Sequence, residues 1–158
     1  MMPAMVAAAM PARAAAFVLV LALAAAGCGS SSGGGHGAYV KALNQAQTGL
    51  QQRFSQLGEK VTATSTPAQD RRTLAAYQRA VTTTVDDLRA IDPPSGFEGL
   101  HRQFVGEVAD FGSALRQARA RIANGDALAA RTGVKTAAEQ TGRRVNATIE
   151  AINKKLEG

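Results

Sequence analysis

The chain has 158 residues, with 18 Lys and Arg against 12 Asp and Glu, a formal net charge of +6, no Trp and a single cysteine. One cysteine excludes an intrachain disulfide and a thiolate metal cluster. Basic residues are not interleaved with aromatics, so stacking on nucleic-acid bases is not expected; the cationic balance suits anionic headgroups, cell-wall polyanions or an acidic protein, or serves solubility alone.

Met1, Met2, Met5 and Met10 open the chain, and Met10 offers a second start with the compact leader Met-Pro-Ala-Arg. A lone basic residue, Arg13, precedes an apolar run from Ala14 to Ala26. This run is too short to span a bilayer, which takes roughly 20 apolar residues. Its basic start, apolar centre and small-residue end are those of a cleaved export signal. It closes on Ala25-Ala26-Gly27-Cys28 and passes at once into Gly29-Ser-Ser-Ser-Gly-Gly-Gly35. The stretch Leu21-Ala-Leu-Ala-Ala-Ala-Gly-Cys28 resembles the lipobox of bacterial lipoproteins, although Ala25 stands where that family usually has Leu.

The resemblance covers about a fifth of the chain and has definite implications. Signal cleavage falls between Gly27 and Cys28, and the Cys28 thiol takes a diacylglycerol through a thioether, leaving neither a free thiol nor a cysteine nucleophile. One acyl chain binds a membrane marginally at ~0.8 kcal/mol per buried methylene, whereas two or more anchor stably. Cleavage removes all four methionines and one charge, Arg13. The implied location is extracytoplasmic, lipid-anchored to the cell membrane. Gly29 is not the Asp that retains such proteins at the inner membrane, so outer-membrane sorting in a two-membrane bacterium stays open.

Residues 28–37 read as the lipidated cysteine and a Gly/Ser tether, a flexible coil in which His36 is a solvated linker residue. Residues 38–158 are long enough for one domain with its own core. A first helix is predicted over 38–61, with Val40, Leu43, Gln47, Leu50, Phe54, Leu57 and Val61 at alternating spacings of three and four. Gln47 either fixes register or turns aside so that Ala46 packs. After a Thr-rich break, Thr66-Pro67-Ala68-Gln69 reads as a capping box with Pro at the first helical position. The second helix, 67–91, buries Leu74, Tyr77, Val81, Val85, Leu88 and Ile91.

Asp92-Pro93-Pro94 stops that helix, and Ser95-Gly96-Phe97-Glu98 reads as a second capping box. Helix three, 96–123, carries Phe97, Leu100, Phe104, Val108, Phe111, Leu115, Ala118 and Ile122 on one stripe and is the expected centre of the core. Asn124-Gly125-Asp126 is a turn, with Gly at positive φ and Asp capping the next helix. Helix four, 126–157, repeats the spacing at Val134, Ala138, Thr141, Val145, Ile149, Ile152 and Leu156. Gly133 and Gly142 inside it cost about 1 kcal/mol each against Ala and suggest a close helix approach. The fold class is therefore all-α, an antiparallel up-down-up-down four-helix bundle behind a cleaved signal and tether.

Alternating helix directions place the tether, the Pro93-Pro94 turn and the C-terminus at one end. The other end gathers Lys60, Arg71, Arg72, Arg116, Arg119, Arg121, Arg131 and Lys135 against Glu59, Asp70 and Asp126. This basic cap, facing away from the anchoring membrane, is a candidate surface for an anionic envelope polymer or acidic protein. Its structural reading is that arginines at the C-terminal end of helix three complement the helix dipole.

Glu98-Gly-Leu-His101 is a Glu-x-x-His pair, with Glu107 and Asp110 further along. A ferritin-like dimetal centre needs two such pairs, and His101 is the only histidine in the predicted helices, so no metal is expected. The bland reading puts Glu98 at the helix cap and His101 at the surface, bonded to Asp92. Ser95 and Ser113 lack a nucleophile-elbow context. Asp86 and Asp87, adjacent on a helix, diverge by ~100°. Asn146-Ala-Thr148 fits a glycosylation triplet that has no meaning without eukaryotic machinery.

No cofactor and no catalytic group is expected. The leading expectation is a non-enzymatic envelope lipoprotein acting as an interaction or scaffold domain, partnered with the membrane through its lipid and with no nucleic acid. The alternative is a small-ligand binding or sensing module with a pocket near Tyr39, Phe97 and His101; a filled core there favours the scaffold.

Overall fold

The computed structural model describes residues 34–58 and 65–157. They form four helices: α1 (Gly34–Gly58), α2 (Pro67–Arg89), α3 (Glu98–Ala123) and α4 (Ala127–Glu157), with no strand among the described residues. Each helix packs chiefly on its neighbours in sequence, α1 on α2, α2 on α3 and α3 on α4, in the manner of the expected four-helix bundle. Cys28 and Gly27 lie outside the described residues, as do Glu59, Lys60 and Val61.

Among the described residues the predicted seams pack as drawn. Leu43, Val81, Val85, Leu88, Phe97, Phe104, Val108, Leu115, Val145, Ile149 and Ile152 form one buried cluster, with Leu50, Phe54, Leu74, Tyr77 and Phe111 half-buried against it. Fully burying each Leu or Ile contributes roughly 1.5–3 kcal/mol, so Leu88, Leu115 and Ile152, all under 2% exposed, weigh heavily. Ala46 is buried, while Gln47 is only half-buried. α3 supplies most to the interior, burying nine of its residues; α1 buries Tyr39, Leu43 and Ala46.

Local chemistry sets most of the ends. At α2 the Thr66 hydroxyl accepts from the Gln69 amide (3.3 Å) and the Gln69 side chain accepts from the Thr66 amide (2.7 Å), so the predicted capping box forms. Gly125 takes φ 85°, and the Asp126 carboxylate caps α4 by accepting from the Ala129 amide at 3.1 Å.

Two local expectations are corrected. The tether does not extend to Gly37: α1 already begins at Gly34, and His36 lies within it, exposed, its ring edge-on to Phe97 at 5.3 Å. The second capping box does not form. Gly96 takes φ 86° and the Phe97 amide donates to Pro94 O (2.9 Å), so the chain turns once more before α3 begins. Phe97, not Ser95, occupies the cap position, without a side-chain cap bond, and is itself only 2% exposed. A Cβ at Gly133 would lie 3.3 Å from the tip of Arg121 of α3, and one at Gly112 would lie 3.2 Å from Val81 Cγ1, where α3 nests on α2.

Candidate functional site

Two regions were singled out by the sequence, and the structure fills each differently. At the end where α1 begins, Tyr39, Phe97 and His101 are buried to 2%, 2% and 5% exposure. Their rings stack at tilted angles, Tyr39 to Phe97 at 5.9 Å and Tyr39 to His101 at 5.7 Å. His101 is therefore not at the surface and not bonded to Asp92. It follows Phe97 by four residues and precedes Phe104 by three, which places it on the buried stripe of α3.

His101 Nε2 lies 3.0 Å from Leu88 O, and Nδ1 lies 3.2 Å from the Tyr39 hydroxyl. A carbonyl only accepts, so Nε2 carries the hydrogen; in the neutral ring Nδ1 is then the acceptor, and Tyr39 donates to it. Burial pushes the His101 pKa below the ordinary imidazole value, partly opposed by the bond to Leu88 O. Burial also pushes the Tyr39 phenol up to about 12. Lys155 at the end of α4 closes this region, donating to Gly96 O with its ammonium 5.3 Å from the centre of the Phe97 ring.

The space expected as an interior ligand pocket is thus occupied by side chains. Against it opens a depression of about 660 Å³ at the α2–α3 turn, lined by Arg89, Asp92, Glu98, Arg102 and Val105 and reached by His101 itself. Both His101 nitrogens are spent on internal bonds. Glu98 is exposed on the rim. No group of three metal-ligating side chains exists among the described residues.

At the opposite end the predicted basic patch is partly consumed by structure. Arg119 reaches across to Gln78 Oε1 (2.9 Å), Arg121 donates to Ala129 O (3.3 Å), and Arg131 pairs with Asp70 at 3.4 Å. These three tie α3 to α2, α3 to α4 and α4 to α2. Arg116 donates to the Ser113 hydroxyl (2.7 Å), and Lys135 stands 3.9 Å from Glu139. Arg71 and Arg72 are exposed on the first turns of α2, and neither forms an ion pair among the described residues. Leu128 beside this end is 78% exposed.

The remaining candidates separate. Ser113 shares α3 with His101, three turns and ~18 Å along the axis, and Ser95 is exposed in the turn. Asp86 pairs with Arg89 and Asp87 with Arg53 of α1, both at 3.7 Å, so the two carboxylates diverge as expected. Asp110 pairs with Arg144 of α4 at 3.1 Å.

One polar cluster was not foreseen. Glu107 is 7% exposed and Thr148 1%. The Thr148 hydroxyl lies 3.0 Å from both Glu107 oxygens, and Gln103 donates to Glu107 (3.1 Å) and to Thr148 (2.9 Å). This closed triangle pegs α3 to α4 in one register. The signal was available: Gln103 and Glu107 are four apart on one face, and Thr148 is three residues beyond the seam residue Val145.

No family model matches the chain, and no curated protein or solved structure is significantly similar to it. Among the described residues no helix is long and apolar enough to cross a membrane.

Proposed function

We propose that the chain is a lipid-anchored lipoprotein of the bacterial envelope, held outside the cytosol by acylated Cys28, whose helical domain is a non-enzymatic interaction or scaffold unit. The junction Gly27-Cys28, with its apolar run before it and its Gly/Ser segment after it, carries this reading. The direction of the bundle adds support. α1 starts, and α4 ends, beside the Pro93-Pro94 turn, as the contacts of His36 and Lys155 with Phe97 and Gly96 require. A lipid upstream of α1 would leave the basic end pointing away from the bilayer.

The filled interior around Tyr39, Phe97 and His101 weighs for a scaffold over a ligand-binding module, since small-molecule sites are concave and bury most of their ligand. An anionic envelope polymer or acidic protein partner would meet Arg71 and Arg72, which are exposed and form no ion pair among the described residues. Fractionation of cells carrying the wild type or Cys28→Ala, with labelled palmitate and a pull-down from envelope extracts, tests the proposal. The wild type should carry label, sediment with membranes and retain partners. A Cys28→Ala chain that sediments and labels equally would contradict it.

A further inference from the structure

α1 is the most lightly held helix. Among the described residues it buries Tyr39, Leu43 and Ala46, and three of its polar ties to α2 are long: Arg53 to Thr84 at 3.4 Å, Arg53 to Asp87 at 3.7 Å, and the Tyr77 hydroxyl to Phe54 O at 3.5 Å. The hydrogen bond from Tyr39 to His101 of α3 is wholly buried. That bond requires a neutral imidazole. A proton on Nδ1 would turn the acceptor into a donor, the Tyr39 hydroxyl would have to accept instead, and its own hydrogen would be left without a partner in a buried site.

We propose that Tyr39 and His101 form a proton-sensitive latch that holds α1 on the bundle, and that protonation of His101 releases α1 while α2, α3 and α4 stay packed. The surroundings give the imidazolium no counter-ion within bonding reach. α1 presents His36, against the Phe97 ring. The end of α2 and its turn present Arg89 and Asp92, and α3 presents Glu98 and Arg102, around the open depression that His101 also lines. α4 presents Lys155, a further cation, over Phe97. Both carboxylates are exposed, and the imidazole nitrogens are turned inward to Tyr39 and Leu88 O.

The sign follows from burial. Packed His101 holds its proton less tightly than it would in water, so the opened state binds more protons below the ordinary value, and acid favours opening. The rest of the bundle keeps its Glu107–Thr148–Gln103 peg and the packing of α3 on both neighbours. The latch does not depend on the anchor; under the lipoprotein reading α1 directly follows the tether, and its release would lengthen the domain's reach from the membrane.

Hydrogen–deuterium exchange of the full chain, read as protection factors at neutral pH and at pH about 5, tests the latch. α1 peptides should lose protection by up to about tenfold per pH unit below the ordinary imidazole value, until the lowered packed value is reached. Peptides from α3 and α4 should not change. His101→Gln, which offers Leu88 O a donor and Tyr39 an acceptor but does not titrate, should abolish the step; His36→Gln should preserve it. Should His101→Gln fail to fold, imidazole NMR of the wild type decides: the His101 titration and the loss of α1 protection must share one midpoint. Parallel loss in all helices, a step that survives His101→Gln, a step lost in His36→Gln, or His101 titrating while α1 stays protected would each overturn the latch.

Discussion

The two ends of this bundle solve the same packing problem with different materials. Where α1 begins, aromatic rings, a buried histidine and large aliphatic side chains interlock. At the far end the buried cluster is Ala118, Ile122 and Ala130, with Leu74 and Val134 half-buried against it. Small side chains there bring little apolar area, and long arginines bridge the helices instead. Arg119 illustrates the cost, because its Nε is buried with no hydrogen-bond partner among the described residues. One end is specified by fit and by a single hydrogen-bond arrangement; the other is assembled from exposed or half-exposed polar ties. The ion pair among them, Arg131 to Asp70, is of the exposed kind that contributes about 0–1 kcal/mol.

The largest contrast should appear on cavity formation. Ile152→Ala, at a side chain with 0% exposure near the aromatic end, is expected to cost about 2–5 kcal/mol, and Ile122→Ala less within the same range, because small neighbours collapse more readily. Urea denaturation of both variants measures the difference, and equal losses would erase the contrast.

Alkaline titration comes next. Burial raises the Tyr39 pKa from 10.0 to about 12, so the unfolded chain releases that proton first. Stability from this group is intact below pH 10.0 and falls as pH rises towards 12. Phenolate absorbance should show Tyr39 ionising late, together with loss of helicity, and Tyr39→Phe should remove that contribution. An early ionisation with the fold intact would place the ring in water.

The smallest stability effect is expected at the exposed far end. Arg71→Ala combined with Arg72→Ala should change stability by no more than about 0.5 kcal/mol per site. The same pair should weaken retention of an anionic polymer, and unchanged retention would remove these arginines from any partner surface.

Much of this architecture was legible because apolar spacing and punctuation agree. Spacings of three and four placed the seams, Pro67 and Thr66 opened α2, and Gly125 closed α3. Positions where polar residues enter the core were harder to read. His101 and Glu107 look like surface residues by type, and only their register against Phe97, Phe104 and Thr148 reveals their burial. The Ser95 box failed because Gly96 offers a positive φ that lets Phe97 swing inward, a tertiary gain outweighing a local cap. The basic end was located, but not the bonds its arginines make. Sequence counts cations, whereas the structure spends Arg119, Arg121 and Arg131 on neighbouring helices.

The account turns on what happens at Cys28. Intact-mass measurement of the protein extracted from cell membranes tests it most directly. The prediction is a chain beginning at Cys28, lacking the residues up to Gly27 and heavier by a diacylglycerol. A mass matching the uncleaved sequence, or a mature chain with an unmodified thiol, would contradict it.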